Sequence, residues 1–207
     1  MKNKTKYLGG SREGWNIYPR ILQIANLGPN KKILDAGCGE GLLMECFNGK
    51  NVFGIDLNPD NVEEARRKSY QKVIIGNLKN LPYKNKEFDE TICIETIQFI
   101  GEPEKAFREL LRITKGKIIL TSPNHNFSSI RSLFKFGRLG FIQLLQNRQV
   151  FFVNQYLFER LAKKNNLDLE MKYVSKTLGF IRDLKLFGNL FGGEIVGIFK
   201  IRRNDLQ

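Results

Sequence analysis

Ile33-Leu34-Asp35-Ala36-Gly37-Cys38-Gly39-Glu40-Gly41 is the stretch on which the fold turns. A short apolar run that closes on an acid and then alternates glycines builds a strand followed by a tight turn able to cradle a nucleotide. A dinucleotide fingerprint would put its third glycine at position 42, and that position is Leu42. A glycine-rich turn can also be plain structure, so what surrounds it decides.

Working outward, strand-like runs alternate with helical patterns. The runs are Lys32 to Ala36, Val52 to Ile55, Lys72 to Ile75, Phe88 to Ile94 and Lys117 to Thr121, with Leu169 to Val174 and Ile195 to Ile201 closing the chain. This is βαβ rhythm, which predicts a mainly parallel sheet covered by helices. Asn58-Pro59 offers a cap and a first-turn proline for a helix over Asp60 to Lys68, with acids early and bases late. Pro103 opens a second helix whose Ala106, Phe107, Leu110 and Leu111 fall on one stripe. Asn154 can cap a third, carrying Leu157, Phe158, Leu161 and Ala162. Upstream, Ile17, Ile21, Ile24 and Ala25 recur at helical spacing before Gly28-Pro29, a helical lead-in within residues 1–30.

The 207 residues, 42% of them hydrophobic, suffice for one domain spanning 1–207. Segments 126–150 and 175–193, rich in Phe and Leu, break the alternation and read as cap additions around a substrate opening. Cys38, Cys46 and Cys93 lack paired spacing, so they read as reduced and partly buried rather than as a disulfide or zinc framework. No metal site is implied. The basic start, Met1 to Lys6, has no apolar stretch behind it and no window suits a membrane span, which predicts a cytoplasmic protein. Thirty-four basic against 21 acidic residues give +13, and Leu110 to Phe158 holds seven Lys or Arg and no Asp or Glu. That basic face invites acidic partners, although a solvated lysine-rich surface needs none.

Asp56 ends the second strand 21 positions beyond Asp35, where a carboxylate can take both ribose hydroxyls of a nucleoside lying over the first turn. By itself a strand-end Asp is more often a cap; beside the glycine turn the ligand reading gains. Further along stand Gly76-Asn77-Leu78, Leu81-Pro82-Tyr83, Phe88-Asp89, Glu95-Thr96-Ile97-Gln98-Phe99-Ile100, Glu109-Leu110-Leu111-Arg112-Ile113 and Gly116-Lys117-Ile118-Ile119-Leu120. In this order these motifs resemble the class I, Rossmann-like S-adenosylmethionine-dependent methyltransferases that act on small molecules, the type of methyltransferase domain 11. The resemblance runs from about Lys31 to Asn124 and, more weakly, from Phe151 to Ile201.

It implies a Rossmann-like three-layer α/β/α sandwich with a seven-stranded, mostly parallel sheet, an antiparallel last strand and a small helical cap. It also implies a role for each matching residue. Gly37, Cys38, Gly39 and Gly41 would let the backbone approach the methionine part of S-adenosylmethionine, with Asp35 steadying the turn and receiving its ammonium. Asp56 would take the ribose and Leu57 the adenine face. Relatives use Asp-Ala to address the adenine amino group; this chain has Asn77-Leu78, whose amide oxygen can still accept that bond. Glu95, at the carboxyl end of the fourth strand, could touch cofactor or substrate.

Catalytic residues are less legible. Where relatives carry Leu-Glu-His, this chain reads Ile97-Gln98-Phe99. The single histidine, His125, follows the fifth strand and could act as a base, though a lone loop histidine is usually polar surface. Methyl transfer from a sulfonium to a small, apolar or lipid-like acceptor, by direct SN2 displacement, can proceed on alignment and water exclusion. Arg131, Lys135 and Arg138 beside Ile130, Leu133, Phe134 and Phe141 form a basic amphipathic pattern suited to peripheral membrane contact through 127–141, or to a cap helix on its own domain. Aromatics interleave with bases between Phe127 and Phe158, as an RNA-binding surface would, yet neither the Asn/Asp-Pro-Pro-aromatic motif nor a cysteine beside proline is present. Protein methylation and a catalytically silent, cofactor-binding regulatory domain complete the alternatives.

Overall fold

The computed structural model describes Gln23 and residues 30–47, 51–68, 70–123, 155–174 and 194–201. The elements in order are β1 (Ile33–Ala36), α1 (Leu42–Glu45), β2 (Val52–Asp56), α2 (Pro59–Arg67), β3 (Val73–Ile75), β4 (Phe88–Cys93), α3 (Pro103–Ile113), β5 (Thr114–Pro123), α4 (Gln155–Lys164), β6 (Asp168–Val174) and β7 (Glu194–Lys200), with a 3-10 turn at Ile97–Phe99. All of these strands join one seven-stranded sheet of order β3-β2-β1-β4-β5-β7-β6. Pairs β1–β2, β1–β4, β2–β3 and β4–β5 are parallel, whereas β7 runs antiparallel to both β5 and β6. This is the class I, Rossmann-like arrangement that the sequence led us to expect.

Near-continuous apolar strands follow from burial on both faces, because successive side chains point to opposite sides. Leu34, Ala36, Cys93, Ile118, Leu120, Ile195 and Phe199 pack with Ala106, Phe107, Leu110 and Ile113 of α3 and with Leu157, Phe158 and Leu161 of α4. Their neighbours Ile33, Ile92, Ile119, Val196 and Ile198 belong to the opposite core with Leu43 and Met44 of α1 and Val62 and Ala65 of α2. On α3 the fully buried stripe is Ala106, Phe107, Leu110 and Ile113, with Leu111 only partly buried. Ile113 lies three positions on from Leu110 and returns to the sheet-facing side, whereas Leu111 has turned away.

The Asn58-Pro59 signal produces the expected helix start: Asn58 Oδ1 accepts from the Asp60 amide at 2.9 Å and Pro59 occupies the first turn. α1 was not foreseen, being a four-residue helix too short to show a period. β5 extends to both sides of the expected run because it pairs with β7 from Lys117 to Pro123 and leaves α3 directly at Thr114. Cys38 and Cys93 are buried as expected; Cys46 is not, and its exposure corrects that expectation. It sits just past the last turn of α1, where neither sheet core reaches. The lead-in helix (apart from Gln23, which is helical), the cap segments 126–150 and 175–193, and the basic pattern at 127–141 lie outside the described residues. Among the described residues no helix is long and apolar enough to cross a membrane.

Candidate functional site

Strand order reverses between β1 and β4, so the parallel strands part company beyond their carboxyl ends and leave the crevice where open α/β sheets bind ligands. The turn Gly37–Gly41 opens there. Gly37, Gly39 and Gly41 have φ of 81°, 54° and 81°, the left-handed region in which side chains are strained. At Gly37 a Cβ would also lie 2.3 Å from Cγ2 and Oγ1 of Thr96, so glycine is required twice over. The Gly37 and Cys38 amides donate to the Ile55 carbonyl at 2.8 and 3.1 Å, which ties the turn to the end of β2. Lys68 closes the far side, donating from Nζ to the Glu40 carbonyl at 3.1 Å.

Asp56 is the hub of this arrangement. Its Oδ2 accepts from the Gly39 amide at 2.8 Å, and its Oδ1 accepts from the Asn58 amide at 2.9 Å and from Asn61 Nδ2 at 3.2 Å. Two carboxylate oxygens offer about four acceptor positions, so the group that braces the turn still has capacity toward a ligand hydroxyl. Leu57 beside it is an apolar side chain left 67% exposed. Asp35 is 2% exposed at the end of β1, directly beneath the turn.

The Cys38 thiol is buried against Asp35 and Asp56, and desolvation first, then those charges, push its pKa well up; it is a neutral, inert packing group. Gly54 makes room for it, since a Cβ there would stand 2.8 Å from its sulfur. Asn77 and Leu78 follow β3. Asn77 Oδ1 accepts from the Lys79 amide at 2.9 Å, so its orientation is set by its own turn, and Leu78 is buried. The loop from Leu81 to Asn85 is held by Arg112, which donates to the Leu81 and Tyr83 carbonyls at 3.0 and 2.8 Å and pairs with Glu109.

Glu95 follows β4 with φ of 46°, and its amide donates to Thr121 Oγ1 of β5 at 3.0 Å. The Thr96 hydroxyl next to it lies 2.9 Å from the Ile94 carbonyl and 3.3 Å from the Gly37 carbonyl, which brings this segment against the glycine turn. The Glu95 side chain is hydrogen-bonded to Glu194, the first residue of β7, which is 2% exposed. Burial, then the Glu95 charge and that hydrogen bond, push the Glu194 pKa up to about 10. The structure thus gathers Asp35, Gly37, Cys38, Gly39, Gly41, Asp56, Leu57 and Glu95 at one crevice. His125 lies outside the described residues. Glu194 was missed by sequence reasoning, and Thr96 and Gly54 stood within motifs without a role of their own. Glu194 opens an apolar strand with no local mark of a site, and Gly54 could have been noticed as a glycine inside a strand.

A family profile described as a methyltransferase domain matches residues 34–120. A ubiquinone biosynthesis O-methyltransferase of Dechloromonas aromatica is 29% identical over 159 residues, 68% of this chain and 66% of that protein. The next matches among curated relatives share shorter stretches, so the chain spans slightly under half of their length. Among solved structures, an Archaeoglobus fulgidus SAM-dependent methyltransferase superposes with a TM-score of 0.70 at 17% identity, covering 93% of this chain and 95% of that one. A magnesium protoporphyrin IX methyltransferase from Synechocystis PCC 6803 with bound SAH gives 0.63 at 18% identity, covering 90% and 80%.

Proposed function

We propose that this chain, whose residues 34–120 match a methyltransferase domain profile, transfers a methyl group from S-adenosylmethionine to a small acceptor. The observation that carries the reading is the triple left-handed glycine turn at the sheet's switch point, locked to Asp56 through the Gly39 amide. The groups present suit the cofactor: a buried carboxylate at Asp35 for its ammonium, acceptor capacity at Asp56 for ribose hydroxyls, and the exposed Leu57 for the adenine face. Gly37, Cys38, Gly39 and Gly41 bring backbone to its methionine part, and Asn77 and Leu78 border the adenine edge. Bound there, the cofactor supplies an activated methyl group on a sulfonium. The protein's own contribution is to align the acceptor with it and exclude water.

The acceptor is a small, apolar or lipid-like molecule. This rests on the Phe- and Leu-rich cap segments and on the O-methyltransferase of ubiquinone biosynthesis among the relatives. Isothermal titration tests the donor half. S-adenosylmethionine should bind the wild type, and Asp56→Ala should weaken it roughly 10- to 100-fold, the effect of losing charge-assisted hydrogen bonds. No binding at millimolar ligand would sink the enzyme reading. Binding without methyl transfer to any compound in a cellular metabolite and lipid extract would favour a silent regulatory domain instead.

A further inference from the structure

We propose that Glu95 and Glu194 form an acid–carboxylate pair that receives the O–H or N–H group of the acceptor and takes up its proton as the methyl group is transferred. This deepens the methyltransferase reading and rests on it. Two carboxyl side chains hydrogen-bonded to each other require a proton between them, since a carboxylate has none to donate. Burial favours the neutral form, and of the two Glu194 is the 2% exposed member, so Glu194 holds the proton.

The pair has an unfilled requirement. Glu194 Oε2 is buried and lacks a hydrogen-bond partner, and so does Oε1 of Gln98, which is also 2% exposed and lies in the turn that follows Glu95. Buried acceptors without donors are costly, and both call for the same thing, a donor hydrogen. An acceptor that presented only carbon would leave the Glu194 oxygen empty; a hydroxyl or amine donates to it. The placement suits transfer as well. Thr96 ties Glu95 to the Gly37 turn, while the Glu95 amide is fixed on Thr121 and Glu194 stands opposite Pro123 at the end of β5. The pair therefore lies between the donor cradle and the end of β5. In the transfer, the acceptor heteroatom bonds to the methyl carbon as the carbon–sulfur bond breaks with its electrons left on sulfur. The heteroatom's proton passes to Glu194 Oε2 as the proton already held by Glu194 moves to the Glu95 carboxylate.

The test uses the full chain loaded with S-adenosylhomocysteine and two probes, phenol and anisole, which share a ring but differ in the O–H group. Ligand-observed NMR should find phenol held about tenfold more strongly than anisole, the effect of one well-placed hydrogen bond. Glu194→Gln, whose amide still donates to Glu95 and still accepts, should keep the preference; Glu194→Leu should lose it while S-adenosylmethionine still binds. An infrared difference spectrum of wild type minus Glu194→Gln near pH ~7 should contain the carbonyl stretch of a protonated carboxyl. Equal retention of the two probes, retention of neither, a preference that survives Glu194→Leu, or a missing carboxyl band each overturn the pair. Failure of the wild type to bind S-adenosylmethionine overturns the methyltransferase reading instead, so the two failures are told apart.

Discussion

Gly37 meets two separate constraints, and they can be measured apart. Its φ of 81° is strained for any side chain, and a Cβ would collide with Thr96 at 2.3 Å. Gly37→Ala should therefore cost more than about 1–3 kcal/mol in denaturant melts. Adding Thr96→Gly removes the colliding atoms and should return all but the backbone part, about 1 kcal/mol; a double variant no better than the single one would mean that the collision is not the larger cause. Asp56 is likewise double in role. The carboxylate expected to meet a ribose also holds the Gly39 amide, so it shapes the turn before any ligand arrives. Residue chemistry of this kind was half legible in the sequence: the glycines and Asp56 announced themselves by spacing, whereas Thr96 acquires meaning only when the end of β4 lies beside the turn after β1, and Glu194 only when β7 pairs with β5.

At the scale of elements, α2 shows why some boundaries can be read directly. Asn58 caps it through its side chain, Pro59 starts it, Asp60 sits in its first turn and Arg66 and Arg67 in its last, where Arg66 also donates to the Val73 carbonyl of β3 at 2.8 Å. Asn58→Ala should lower stability by about 1 kcal/mol and Asn58→Gly by only a few tenths, as thermal melts would register. Equal losses would place the contribution elsewhere. The central strands were legible because their apolar runs serve two buried faces, the edge strand β6 because its apolar residues alternate, and α3 and α4 because their stripes repeat. Ends of elements were not so clear. Lys115, Gly116 and Lys117 dilute the start of β5, whose first residue pairs with β4 and whose far end at Pro123 pairs with β7, long-range contacts that local pattern does not record. The 3-10 turn at Ile97–Phe99 and the four residues of α1 are too short to leave a period.

At the scale of the molecule, buried acids set a pH dependence. Glu194 rises from 4.5 to about 10, and Glu90 is also raised, burial being its largest cause. Between those two values for Glu194 the folded state holds a proton that the unfolded chain has released, so this contribution is full below about pH 5 and is lost as pH rises toward about 10. Glu87, Asp89, Glu109 and Glu170 are lowered, mainly by hydrogen bonds from Lys32, Lys32, Arg112 and Lys172, and work in the opposite sense, losing their stabilisation as pH falls through the acidic range. Glu194→Gln isolates one contribution. Relative to wild type it should gain stability with rising pH, by at most about 1.4 kcal/mol per pH unit; parallel stability–pH curves would mean that Glu194 is ionised in the folded protein. The strand order carries a consequence of another kind. β6 touches the sheet only through β7, which is made after it and slots between β5 and β6. A chain emerging from the ribosome can therefore assemble β1 to β5 and then must wait, with the outer edge of β5 open to chaperones or to a neighbouring nascent chain, until residues 194–200 arrive and seal it.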